Sequence, residues 1–187
     1  MFQKKGYAAA RTRDIAEEAG INLALLSYYF RSKEKLFEVI VYETLSGFFQ
    51  NLIDVLNDGS ITFEEKIELL ATNYITIFSK EPDIPLFIFS EVHSRSENLL
   101  GKFFIRRMLI TSVFVQQFQE QVAAGKIKEP NLLHFMMNFL GITVFPFIIG
   151  KPFISALGRL NERQFSQLME ERKKLIPAWI KAIMSAE

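Results

Sequence analysis

Asn22, Leu23, Ala24, Leu25 and Ser27 run into Tyr28 and Tyr29, with Arg11 upstream and Lys33 downstream. These are the residues of the chain whose types and spacing could do chemistry together, and that chemistry is contact, not catalysis. Amide and hydroxyl groups bond to base edges, and an apolar side chain such as Leu23 or Leu25 packs on a thymine methyl. Arg11, Tyr28, Tyr29 and Lys33 suit phosphate oxygens. Catalytic sets are missing from the sequence. His93 and His134 lie far apart, and Glu91 stands two residues from His93, on a different helical face. The absence of cysteine removes thiol nucleophiles, disulfides and thiolate metal sites. With no phosphate loop, nucleophile elbow or metal motif, the sequence predicts a protein that is not an enzyme and uses no cofactor or metal.

The elements that must position those residues follow from local signals. Thr12–Ala19 reads as a helix closed by Gly20, which supplies a positive φ. Asn22 is an N-cap for a second helix, Leu23–Tyr29. Ile15, Ala16, Ala19, Ile21, Leu26 and Tyr29 are spaced to fill the wedge between the two. A short glycine turn joining two helices is a helix-turn-helix, whose second helix enters the DNA major groove. Ser32 then caps a third helix, and Arg31, Lys33 and Lys35 stand where phosphates would lie. Residues 1–37 hold seven basic and four acidic side chains, a local charge of +3, while the whole chain of 187 residues carries only +1. That balance suits selective binding to DNA, not indiscriminate coating.

The stretch KGYAAARTRDIAEEAGINLALLSYYFRSKEKLF resembles the N-terminal domain of TetR-type (tetracycline-repressor-like) transcriptional regulators. Gly6-Tyr7, Arg13-Asp14-Ile15-Ala16, Ala19-Gly20-Ile21, Tyr28-Tyr29-Phe30 and Ser32-Lys33-Glu34 carry the match. The resemblance implies a dimer on a palindromic operator and a C-terminal domain that senses a small molecule. It also implies a complete first helix, of which Met1–Lys5 is only the end. Two departures stand out: Ala10 where the family usually has a threonine that caps and touches phosphate, and Leu23, Ala24 and Leu25 where polar residues and glycine are usual. Arg11 could take over the phosphate contact.

The rest of the chain reads as helices without strand-like alternation, so the predicted fold is all-α. A helix-turn-helix domain (residues 1–46) precedes a helical ligand-binding and dimerisation domain (residues 47–187). A long helix from Ser32 to Leu56 bridges them. Further helices are predicted from Thr62 to Ser79, from Asp83 to about His93, from about Asn98 to Ala124, from Pro130 to a bend or end at Pro146, and from Asn161 to Ser185 with a kink at Pro177. Gly150–Leu160 reads as loop or short turns. Hydrophobic content is 49% and charged content 23%, as in a folded globular domain. The longest apolar stretch, Leu132–Ile149, is interrupted and short of a bilayer span, so the expected location is the cytoplasm, without membrane contact.

The last two long helices carry apolar stripes. Leu132, Met136, Phe139 and Leu140 on one, and Phe165, Leu168, Arg172, Leu175, Trp179 and Ile183 on the other, fit either plain core or a four-helix homodimer interface; the resemblance favours the interface. Phenylalanine is abundant, with 19 residues. Phe87, Phe104 and Met108 with His93 and Arg107 suggest a cavity for an apolar or aromatic effector, and an inward Arg107 would suit a carboxylate. For most phenylalanines, and for a surface Arg107, the plainer reading is core and solvent. The function expected is therefore a ligand-responsive regulator, a repressor by expectation, that binds double-stranded operator DNA as a homodimer. The alternative is a helical small-molecule-binding or protein-interaction dimer with a vestigial DNA-binding head.

Overall fold

Side-chain caps decide where most of these helices begin. The computed structural model describes Tyr7, residues 9–90, His93 and residues 111–186. Its labelled helices are α1 (Thr12–Glu18), α2 (Leu23–Phe30), α3 (Lys33–Asn57), α4 (Phe63–Lys80), α5 (Val113–Ala123), α6 (Leu132–Ile148), α7 (Gly150–Gly158) and α8 (Glu162–Ser185). Residues 84–90 are also helical, and no strand occurs among the described residues. Asn22, Ser32, Thr62, Ser112, Asn131 and Asn161 each accept a hydrogen bond from a backbone N–H of the turn they open, satisfying donors that a helix start leaves unpaired. At Thr62 and Asn161 the cap is reciprocal: the Glu65 carboxylate accepts from the Thr62 N–H at 2.7 Å, and Gln164 does the same for Asn161 at 2.9 Å.

Three expectations change. Ser112 opens α5, so the single helix expected from Asn98 to Ala124 does not run through that point; residues 94–110 lie outside the described residues. Gly150–Gly158, expected as loop, is helical. Pro152 falls in its first turn, where the missing N–H has no helical acceptor in any case. Pro146 neither ends nor interrupts α6, which continues to Ile148. A proline there strips the Ile142 carbonyl of its usual N–H partner. The Arg172 guanidinium on α8 donates to that same carbonyl oxygen, so the gap left by Pro146 becomes a tie between α6 and α8. α8 likewise runs on through Pro177.

Two hydrophobic clusters form, one in the N-terminal head and one in the helical body that follows. Around the N-terminal helices, Ala10, Ala16, Leu26, Leu36, Phe37, Val41 and Leu45 are buried together with Phe87. The second cluster starts at Val55 and takes in the inward faces of α4, α5, α6 and α8, including Phe63, Tyr74, Phe78, Phe118, Phe135, Phe139 and Ile176. α8 packs chiefly on α4 and α6. The 25-residue α3 reaches from one cluster to the other, roughly 37 Å end to end. Its far end is fixed by Lys66, a fully buried side chain whose ammonium donates to the Leu56 carbonyl oxygen at 3.2 Å. A cation is favoured at a helix C-terminus. Burial lowers the Lys66 pKa, and nearby Asp58 works against that shift. No helix among the described residues is long and apolar enough to cross a membrane.

Candidate nucleic-acid interface

α1 ends in a complete glycine-based cap. Gly20 has φ +68°, its N–H bonds to the Glu17 carbonyl at 3.1 Å, and the Ile21 N–H reaches back to the Ala16 carbonyl at 3.0 Å. That pair of bonds is the Schellman motif. It turns the chain so that Asn22 can cap α2, its Oδ1 accepting from the Leu25 N–H at 2.7 Å. Asn22 therefore spends its oxygen on placing the helix, leaving its amide N–H groups for other contacts.

Leu26 and Ala16, both buried, hold α2 against α1. At 100° per residue, Ala24 and Tyr28 then lie opposite Leu26, with Ser27 and Leu25 beside them. All four are exposed, as are Leu23 and Tyr29. Tyr28 is 78% and Tyr29 68% accessible, an unusual state for rings on an ordered helix, and they meet edge to face with centroids 5.5 Å apart. Ala24 leaves the middle of this face low, so the helix backbone can approach a groove closely.

α2 passes to α3 without a loop. The Ser32 N–H donates to the Phe30 carbonyl at 2.6 Å across Arg31, whose φ is 60° and ψ −36°, a γ-turn of the strained kind. Ser32 then caps α3. The Lys33 ammonium sits 4.4 Å from the Tyr7 ring centroid, and that ring packs on Phe37 at 4.8 Å. A cation–π contact thus presets a lysine at the very start of a long helix. Helix N-termini favour anions, so the charge on Lys33 is best matched by a phosphate. A cleft of about 30 Å³ opens here between Thr12, Ser27, Arg31, Ser32 and Lys33. Thr12 thereby joins Arg31 and Lys33 among the candidate phosphate contacts; Arg31 was legible from its place just after α2, and Thr12 gave no sequence signal. Arg11 is exposed at the start of α1, where it caps with no side-chain bond, and Ala10 is wholly buried in the head's core.

The other candidate positions separate. Phe87 is buried in the head's core, edge to face with Phe37 at 6.0 Å, not in the wall of a body cavity. His93 is exposed and stacks on Phe89. Phe104, Arg107 and Met108 lie outside the described residues. Polar groups do occur inside the aromatic body: burial pushes the Tyr74 phenol well above its ordinary range, and the fully buried Thr143 hydroxyl has no hydrogen-bond partner among the described residues. Of the stripe residues, Phe139 and Phe165 are enclosed in the chain's own core, and Leu132 and Met136 pack on it. Arg172 is committed to Ile142 and to the Trp179 ring, 5.2 Å away; burial lowers its pKa. Leu140, Leu168, Leu175, Trp179 and Ile183 face outward, joined by Leu133 and by Met137, the last of which the sequence gave no reason to single out.

Residues 1–40 match the family described as bacterial regulatory proteins, tetR family. The chain is 22% identical over 152 residues to the HTH-type transcriptional regulator YttP of Bacillus subtilis, spanning 79% of this chain and 72% of that protein. It is 26% identical over 141 residues to the HTH-type transcriptional repressor KstR2 of Mycolicibacterium smegmatis, covering 68% of this chain and 62% of the relative. Among solved structures, a TetR-family transcriptional regulator from Mesorhizobium loti superposes with a TM-score of 0.59 at 20% identity, over 97% of this chain and 90% of that one. The transcriptional regulator FadR of Bacillus subtilis in complex with stearoyl-CoA gives 0.55 at 17% identity, over 94% and 91%.

Proposed function

We propose that this chain, whose residues 1–40 match the tetR family of bacterial regulatory proteins, is a TetR-type transcriptional regulator that acts as a homodimeric, effector-responsive repressor of a palindromic operator. The observation that carries the reading is the outer face of α2, with Ala24, Ser27, Tyr28 and Leu25 solvent-exposed on a helix locked from behind by Leu26. Two such helices enter successive major grooves about 34–36 Å apart. Leu23, Ala24, Leu25, Ser27 and the Asn22 amide lie near bases. Arg11, Thr12, Tyr28, Tyr29, Arg31 and Lys33 lie near phosphates.

The outward apolar residues of α6 and α8 support the dimer. Leu133, Met137 and Leu140 on α6 and Leu168, Leu175, Trp179 and Ile183 on α8 are exposed on two helices that pack together, and exposed apolar surface of this kind marks an association site. Two helices from each chain make a four-helix interface. The aromatic body supports an apolar effector, since Tyr74 and Thr143 set single hydroxyl groups among phenylalanines, the makeup of a small-molecule site. FadR of Bacillus subtilis, similar in fold, was solved with stearoyl-CoA, a ligand with a long apolar chain. Phe87 offers the coupling: it belongs to the segment 84–90 of the body yet packs on Phe37 in the head. An effector that prefers one placement of that segment shifts the head in proportion to its preference.

Enrichment of a random duplex pool on the protein tests the reading. A palindrome with half-sites about one turn apart is expected, with affinity falling steeply as salt rises. Folded dimers that enrich no sequence would overturn it in favour of a ligand-binding dimer with an idle head.

A further inference from the structure

The start of α4, the loop after α5 and the last turns of α8 line an open groove of about 700 Å³. That is the size of a small-molecule site. Its floor is apolar: Phe63, Ile67, Ile127 and Met184 are buried side chains, and Pro177 lies beside them. Its rim is cationic. Lys126 and Lys128 flank the buried Ile127 on the loop, and Lys174 and Lys181 stand two turns apart on α8, about 10.5 Å along one helical face. None of these four ammonium groups has an ion pair or hydrogen bond among the described residues. The loop wall is fixed, since the Lys128 N–H donates to the Met184 carbonyl at 2.8 Å and Gly125 turns the chain at φ +71°.

We propose that this groove is a binding site for a small anionic amphiphile, a phosphate or carboxylate head on an apolar body, distinct from any effector cavity in the aromatic core. Four unpartnered like charges around one concavity repel each other, and an anion between them relieves that repulsion. The third wall decides against an extended polyanion: Glu64 and Glu68, also exposed and unpaired among the described residues, line the α4 side. A ligand charged at one end places its head between the lysines and its apolar part over Phe63 and Ile67. Occupancy would brace one face of α8 while the opposite face carries Trp179 and Ile183.

Octyl phosphate, titrated calorimetrically into the full chain below its micelle concentration, is the probe. Inorganic phosphate supplies the head alone and octyl glucoside the same chain without charge. Saturable one-site binding of octyl phosphate is expected, with each control about tenfold weaker or more: inorganic phosphate for want of an apolar chain to bury, octyl glucoside for want of the charge-assisted contact. Lys174→Glu with Lys181→Glu should abolish it, and Ala178→Trp should block it by filling the groove while leaving every charge in place. Lys80→Glu, on the same body but outside the groove, should change nothing. Equal binding of octyl glucoside, equal loss in Lys80→Glu, or undiminished binding in folded Ala178→Trp would each overturn the proposal. Undiminished binding in that last variant would assign the probe to the aromatic core instead. Operator binding is scored separately in each variant, so the DNA reading stands or falls on its own.

Discussion

The head and the body are built from different side chains, and the difference says how one can control the other. In the head, Ala10 and Ala16 are 0% and 3% exposed, and short side chains let α1, α2 and α3 approach closely. Small residues fix geometry well but remove little apolar area from water, at about 25 cal/mol per Å². The body instead stacks rings: Phe48, Tyr74 and Phe78 lie with centroids 5.2 to 5.9 Å apart, and Phe63, Phe114 and Phe135 form a second group at 4.9 to 5.9 Å. The rings give the body a large favourable burial. Among the described residues the head has the smaller core, and it borrows stability from the larger core of the body, with Phe87 where the loan is made.

The largest expected effect is from Phe37→Ala, a buried ring at the centre of the head, at about 3–5 kcal/mol. Amide hydrogen exchange should show the loss in α1 and α2 while α4 and α8 keep their protection; equal loss in both would merge the two cores into one cooperative unit. Phe87→Ala should cost less in global unfolding by denaturant, about 3 kcal/mol, yet raise exchange in the head, which it does not belong to in sequence. Unchanged protection in α1 and α2 would remove the body's supporting role. Lys33→Ala should leave both cores intact, weaken operator binding and flatten the salt dependence of affinity by about one unit of slope per half-site. A wild-type slope would mean that Lys33 touches no phosphate. Glu65→Ala is the smallest perturbation. Bonds from the Thr62 N–H, and then its hydroxyl, hold the Glu65 carboxyl below its ordinary pKa. A carboxylate with a lowered folded pKa stabilises above the unfolded value and loses that contribution as pH falls through the folded one. The gap in thermal midpoint between wild type and Glu65→Ala should therefore be full at neutral pH and close in acid.

Much of this was readable in the residues, and the failures have physical causes. Gly20, Asn22, Ser32, Thr62 and Asn161 announced their turns because caps are local chemistry. The body's stripes were harder to apportion. α6 is apolar on two sides, with Leu132, Met136 and Phe139 inward and Leu133, Met137 and Leu140 outward, and a helical period alone cannot say which side meets the chain's own core. Of the bend or end expected at Pro146, the end does not occur: the missing hydrogen bond is visible in sequence, whereas the compensating Arg172 comes from another helix. Phe87 sat among body residues in the chain order, and only tertiary packing assigns it to the head. The groove left no sequence mark, since its four lysines come from two segments some fifty residues apart.

The γ-turn at Arg31 has a consequence for anyone who would make this protein sturdier. A non-glycine residue in that backbone region costs about 1–3 kcal/mol, and glycine would adopt it freely. The chain keeps a guanidinium there, at the lip of the cleft we propose for a phosphate. Folding alone would choose glycine; holding an anion calls for arginine. Selection for heat tolerance would therefore be drawn to this position first, and would disarm the molecule by succeeding.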